Sequence, residues 1–381
     1  MNKQETARKT GFTRLMELAM TKKALIISAM VLSALASLVS FVPYYAIYMI
    51  VREIVGSMSG GGLNAALAVR YGFIAFGGAV GQILLYFGAL MFSHYAAFGT
   101  LYQLKVNFAT HLAKVPLGFH VLVGSGKLRK IMDENIEKIE SFIAHQLPDL
   151  TAAVVAPIVM FVILFAVDWR YGLAVVLGVA AALVGYFGSY GNAGAKESMT
   201  RYQQALEDMN NASVEYIRGI SVVKAFRQTV YSFRRLHGTI KRYTEFITSF
   251  TLSWESSYSA AVVIINNVYL FVLPVAALLS VQTGDYVKFI TDTLFYIIFA
   301  QAVGGIMIKV IYANGVAMRI DANVEAMDGI LAQPQIPVCR QPKIAGSYDV
   351  AFSNVTFSYE KDKEVEALSG VSFTAPQGKV T

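Results

Sequence analysis

The sequence predicts an all-α, polytopic membrane domain of six transmembrane helices with long cytoplasmic extensions, followed by a short β-patterned tail. Three observations carry this. Apolar residues make up 55% of the 381 residues and charged ones 15%, with a mean hydropathy of +0.51, a balance that makes lipid the main solvent. Six apolar segments are each about as long as the ~20 residues a helix needs to cross a bilayer. The connections between them alternate between short and long.

Residues 1–23 are polar and basic, and the apolar run that follows is longer than a signal-peptide core, so the first helix is expected to be uncleaved. The spans read as residues 24–51, 71–92, 150–167, 171–190, 260–279 and 289–308. Short connections follow spans 1, 3 and 5, and two long ones cover residues 93–149 and 191–259. The long connections keep a helical apolar pattern, with Ile136, Ile139, Ile143 and Leu147 set between charged residues. Spans 2 to 5 should therefore continue as rods, joined in pairs by short transverse turns. Gly124, Ser125 and Gly126 interrupt the first hairpin and Gly219 the second. Two ordinary soluble helical hairpins with no role in transmission fit this periodicity equally well.

The net charge of +7 reads as membrane topology and not as affinity for nucleic acid. Of 32 Lys and Arg, only Arg52, Arg70, Arg170 and Lys288 fall on one side of the six spans. That asymmetry puts both termini and both long connections in the cytoplasm of a multi-pass protein of the cytoplasmic membrane, with lipid as its surroundings. Cys339 is the single cysteine, which excludes an intrachain disulfide and a Cys-cluster metal site; it reads as a reduced cytoplasmic thiol.

Polar residues inside spans are costly and so are candidates for function. Asp292 stands four residues after Lys288, and an intrahelical ion pair is its simplest reading. Gln82, Tyr86, His94, Asn266, Asn267, Asp292, Tyr296 and Gln301 are the candidates for a substrate path, with Tyr44 and Tyr45 as further aromatic walls. Helix-to-helix hydrogen bonds and depth anchoring are the competing uses. His94 and His145 lack a third ligand at metal spacing, so no metal site is expected. The Gly-rich run at residues 57–62 reads as a flexible loop.

Two segments carry a resemblance. Gly126-Lys-Leu-Arg-Lys-Ile-Met-Asp-Glu-Asn-Ile-Glu-Lys-Ile-Glu140 and Glu215-Tyr-Ile-Arg-Gly-Ile-Ser-Val-Val-Lys-Ala-Phe226 resemble the coupling segments of exporter-fold ABC transporters. The resemblance implies contact with an ATP-binding domain through Gly126, Lys127, Leu128, Arg129 and Lys130, and through Gly219, Ile220, Val222, Val223, Lys224 and Phe226. Solvated basic faces near an anionic leaflet are the alternative. The tail, Tyr348-Asp-Val-Ala-Phe-Ser-Asn-Val-Thr-Phe-Ser-Tyr359, alternates like a strand, and a second strand pattern runs over residues 368–376. It resembles the first strands of an α/β P-loop ATPase domain, and the resemblance implies that Tyr359 stacks on adenine. No G-x-x-x-x-G-K-[ST] loop occurs, so this stretch is expected to belong to a longer half-transporter and not to hydrolyse ATP alone.

The expected organisation is a cytoplasmic elbow at 1–23, the membrane domain at 24–331, a linker at 332–347 and the start of the nucleotide-binding domain at 348–381. Pro116-Leu-Gly-Phe-His120, Ser125-Gly-Lys-Leu-Arg-Lys130 and Ile143-Ala-His-Gln-Leu-Pro-Asp149 look most similar to the iron-siderophore uptake subgroup. The family resemblance implies ATP and Mg2+ in the full-length protein, a small-molecule substrate and a second half-transporter, with a heterodimer favoured over a homodimer. Export of lipid, peptide or drug-like compounds by the same fold is the first alternative, and a non-enzymatic receptor or scaffold the second.

Overall fold

The computed structural model describes residues 12–190, 194–225, 234–281, 284–337, 346–358 and 366–380. Cys339, Phe226 and Tyr359 lie outside these, as do the side chains of Val222 and Val223. The chain divides into a helical unit reaching Gln333 and a small unit made of Lys114–Pro116 and Pro334–Thr381.

The helical unit opens with α1 (Phe12–Ala19), tied to the far end of the chain's last helix by Arg14, whose Nε meets Asp328 Oδ2 at 3.0 Å. The first apolar run folds as two helices, α2 (Lys23–Val39) and α3 (Val42–Gly56). Pro43 marks the break: it has no N–H to donate and sits in the first turn of α3, where none is needed. The Gly-rich run is not a loop, since Ser57–Gly61 forms a π-helical turn that closes α3, with Gly60 at φ 106°.

Span 2 lies in α4 (Ala65–Leu112), whose 48 residues make a rod of roughly 72 Å at 1.5 Å each, more than twice the hydrocarbon thickness. Asn64 Oδ1 caps it by accepting from the Leu67 N–H at 3.1 Å. After Pro116 comes α5 (Leu117–Val123), then Gly124 at φ 74°, a left-handed position that glycine takes without strain, and then α6 (Ser125–Lys130). The backbone stays helical to Val167 through a π-helical turn at Ile131–Asn135, α7 (Ile136–Ser141), a second π-helical turn at Phe142–Gln146 and α8 (Leu147–Val167). Span 4 is in α9 (Trp169–Tyr190).

The second long connection is built by α10 (Gly194–Ala225) and α11 (Arg234–Asn266). Gly219 does not interrupt it, because α10 runs unbroken through that residue to Ala225. One glycine costs a helix only about 1 kcal/mol, which tertiary packing overrides. Span 5 bends by 48° between α11 and α12 (Tyr269–Ser280). Span 6 lies in α13 (Tyr286–Leu331), 46 residues long and capped by Asp285 Oδ1 on the Lys288 N–H. Five described helical stretches are long and apolar enough to cross a membrane, and the bent pair supplies a sixth, so the six-span architecture holds.

Two cores form. One joins Leu15, Ala97, Phe108, Leu128 and Met327 with Ile136, Ile139, Ile143 and Leu147, the stripe the periodicity singles out. The other packs Met160, Tyr171, Val175, Val268, Phe295 and Phe299 between the spans. Gly178 lets α9 approach the bend of span 5: a Cβ there would come within 2.7 Å of Val268. In the small unit, β1 (Val350–Phe357) pairs antiparallel with β2 (Leu368–Ala375), and Phe352 stacks on Phe373 with centroids 4.6 Å apart.

Candidate functional site

The expected site residues fall into four places. At the tip of the first long connection, α6 turns Leu128 into the core while Lys127, Arg129 and Lys130 stay exposed and Gly126 faces open space. Arg129 pairs with Asp133 one turn on, at 3.2 Å. The preceding α5 adds Val121 and Leu122, which no motif covered, to Leu117 of the Pro116–His120 motif; the three are 76%, 83% and 77% exposed. Their signal was present as a mostly apolar stretch fenced by Pro116 and Gly124. Along α10, Gly219 has no neighbour near its Cα, and Ile217, Ile220 and Lys224 are exposed.

A pocket of about 180 Å3 opens between α2, α4, α8 and α13. Gln82 and Tyr86 line it as path candidates, but the charges on its wall, Asp149 and Lys309, were not among them. The Tyr86 hydroxyl donates to Asp149 Oδ1 at 2.7 Å. Ser33 donates to the Pro148 carbonyl at 2.7 Å and Ser37 to the Ser33 carbonyl at 3.0 Å, so both serines satisfy backbone and not the pocket. Among the described residues Lys309 forms no ion pair.

Further along the same α4–α8 seam, Ser93 donates to the Ala144 carbonyl at 2.6 Å, and the rings of His94 and His145 meet edge to face at 4.7 Å. The two histidines are thus neighbours in space. No group of three or more metal-ligating side chains occurs among the described residues.

At the end of the spans that carries the short turns, Asp292 is 1% exposed, bound by Lys288 one turn earlier and by the Tyr48 hydroxyl of α3 at 3.0 Å. The pair with Lys288 is the one its spacing predicts. Beside it, in the turn between α8 and α9, Arg170 grips Asp168 with Nη2 at 2.7 Å and Nε at 3.1 Å. The Arg170 side-chain hydrogen bonds hold the Asp168 carboxyl below its ordinary range, against the opposing effect of burial. Tyr296, fully buried and stacked on Tyr171, shares its hydroxyl hydrogen between the carbonyls of Leu164 and Asp168 and accepts from the Asp168 N–H at 3.1 Å. It closes the last turn of α8.

The remaining candidates are scattered. Asn266 and Asn267 donate to the carbonyls of Val262 and Val263, each at 2.9 Å, stabilising the bend of span 5. Gln301 is exposed on α13. Tyr44 packs edge to face on Phe299 and Tyr45 on Tyr71. The eight path candidates therefore do not form one site; two of them share the pocket.

Residues 25–305 match the family model of the ABC transporter transmembrane region. The chain belongs to that family. As a member of the ABC transporter transmembrane region it is a multi-pass membrane protein, and its rods and pocket are parts of a transporter's membrane domain. It is 25% identical over 96% of its length to the mycobactin import ATP-binding/permease protein IrtA of Mycolicibacterium smegmatis, and 26% identical over 96% to IrtA of Mycobacterium tuberculosis. It is also 26% identical over 74% of its length to the mitochondrial iron-sulfur clusters transporter ABCB7 of Homo sapiens. The chain spans 41% of each IrtA protein and 38% of ABCB7.

Proposed function

We propose that this chain is the membrane half of an ATP-driven transporter that works by alternating access, with an iron-siderophore complex taken up across the cytoplasmic membrane as its preferred substrate. The observation that carries the mechanism is a rod that outruns the bilayer and ends at an apolar tip: α4 leads to α5, where Leu117, Val121 and Leu122 are exposed among the described residues. Burying such side chains in a groove of an ATP-binding domain yields about 1.5–3 kcal/mol each, enough for a firm joint. Lys127, Arg129 and Lys130 supply polar contacts around it, and Gly219, Ile220, Val222, Val223, Lys224 and Phe226 form the second joint. Rigid helices then convert closure of the ATP-binding domains into rocking of the spans. Both joints lie in the cytoplasm on this reading.

ATP binding is supported by the names of the IrtA relatives, and we assign adenine stacking to Tyr359 on the resemblance of the tail alone. Residues 1–381 contain no G-x-x-x-x-G-K-[ST] loop to cradle phosphates with Mg2+, so hydrolysis is not attributed to this stretch. The organisation into an elbow, a membrane domain at 24–331, a linker at 332–347 and the opening of an ATP-binding domain completes the proposal. A six-span half encloses no pathway, so a second half-transporter is required, and we favour a heterodimer. The substrate preference is supported by the printed function of IrtA, mycobactin import.

The test uses the full-length transporter with its partner half in right-side-out vesicles loaded with ATP. Radiolabelled ferric siderophore should accumulate inside, and Leu122→Asp should abolish accumulation while ATP hydrolysis continues. Release of chelate loaded together with ATP, faster than from vesicles without ATP, would instead make the protein an exporter.

A further inference from the structure

The pocket between α2, α4, α8 and α13 contains two opposite charges that the fold does not pair with each other. Asp149 stands just before span 3 and Lys309 just after span 6, both exposed, so the pair lines the mouth of the pocket where the spans leave the apolar layer. Asp149 spends one oxygen on Tyr86, which fixes the carboxylate's position, and its other oxygen has no partner among the described residues. Lys309 lines the same pocket from α13. Between them the wall is small and neutral: Ala152, Ala153 and Ala156 follow Asp149 along α8, and the hydroxyls of Ser33 and Ser37 are turned onto backbone.

We propose that this pocket is a ligand subsite holding one polar arm of the transported molecule, with a hydrogen-bond donor of that arm on Asp149 and an anionic or carbonyl oxygen on Lys309. The proposal rests on the transporter reading and deepens it. At about 180 Å3 the pocket is smaller than the ~300–1,000 Å3 that enclose a drug-sized ligand, so it takes a group and not the whole molecule. One cation balanced by one anion disfavours a polyphosphate. Two charges disfavour a purely apolar occupant, which would strip their water without replacing it. The class that fits has a donor on one edge and an oxygen on the other: an amide, a hydroxamate or an amino-acid group. A phosphatidylethanolamine headgroup, with an N–H donor and a phosphate oxygen, offers the same chemistry, and the experiment separates the two sources.

The full-length transporter with its partner half is reconstituted in phosphatidylcholine liposomes, and binding of a 55Fe-labelled ferric tris-hydroxamate is measured at equilibrium. Asp149→Asn and Lys309→Gln should each raise the Kd about tenfold, the scale of a lost charged hydrogen bond. Lys309→Arg, which keeps the charge, should stay within about threefold of the unaltered protein and so exclude misfolding. Undiminished binding by both neutral variants overturns the subsite while leaving the substrate reading intact. No chelate binding by the unaltered protein overturns the substrate reading and the subsite together. Loss of chelate binding when phosphatidylethanolamine is added assigns the pocket to lipid and overturns the subsite.

Discussion

At the short-turn end of the spans, two carboxylates each have a cation and a second donor atom: Lys288 and Tyr48 hold Asp292, and two nitrogens of the Arg170 side chain hold Asp168. In the pocket at the other end, Asp149 has one phenol and Lys309 stands apart. α13 carries charges of both groups, Lys288 and Asp292 in one and Lys309 in the other, yet one group is closed and the other open. A buried charge whose every bond is made contributes rigidity, because removing any partner strands the rest in a low-dielectric interior. A charge left half-bonded beside space contributes little to the fold and is available to something that enters. On this contrast Asp292, a path candidate by its sequence position, belongs to the framework, and Asp149 belongs to the candidate ligand site.

The contrast breaks most visibly on losing one cation from each group. Lys288→Met leaves the Asp292 carboxylate, 1% exposed, with Tyr48 alone, and should cost about 3 kcal/mol or more. Lys309→Met removes no ion pair and should change stability by less than about 0.5 kcal/mol. Thermal denaturation in detergent followed by circular dichroism reads both, and equal losses would erase the distinction. A smaller effect is expected from paired phenol deletions. Tyr296→Phe strands the Leu164 carbonyl and the Asp168 N–H at the end of α8, while the Asp168 carbonyl keeps the Gly172 N–H, and should cost about 1–3 kcal/mol, whereas Tyr86→Phe, at an exposed contact, should cost less than about 1 kcal/mol.

How far this was legible in the sequence follows from the range of each interaction. The six spans are written in local apolarity, and the Lys288–Asp292 pair in i,i+4 spacing, so both could be read directly. Tyr48 meets Asp292 across 244 positions, and no local pattern announces it. Lys309 was hidden by a correct general rule: a lysine just past a span counts first as a topological charge, and only packing reveals that α13 turns it toward α8. The break at Pro43 was masked because apolar residues continue on both sides of it, and apolarity records lipid exposure but not helix continuity. Gly219 failed in the opposite direction, a weak local breaker carried along by the helix that continues on both sides of it. Val121 and Leu122 of α5 were overlooked because seven residues are too few to carry a period, although their exposure is plain once the helix is placed.

The smallest effect sharpens the comparison by pH. Because Arg170 holds the Asp168 carboxyl below its ordinary value of about 3.9, the folded protein binds fewer protons there than the unfolded chain as acid is added. The stability this group contributes is therefore complete above about pH 4 and is lost as the pH falls through the lower, folded value. For a partly exposed ion pair the amount is about 1 kcal/mol. Asp168→Asn keeps the backbone groups that Tyr296 binds but cannot titrate, so at neutral pH it should be less stable by that amount and should converge with the unaltered protein toward pH 2.5. Every other carboxylate is common to both proteins, so the difference between their denaturation midpoints isolates Asp168. A constant gap from pH 6 to 2.5 would show that the Arg170 contact makes no proton-linked contribution, and the short-turn end would then owe its closure to Asp292 and Tyr296 alone.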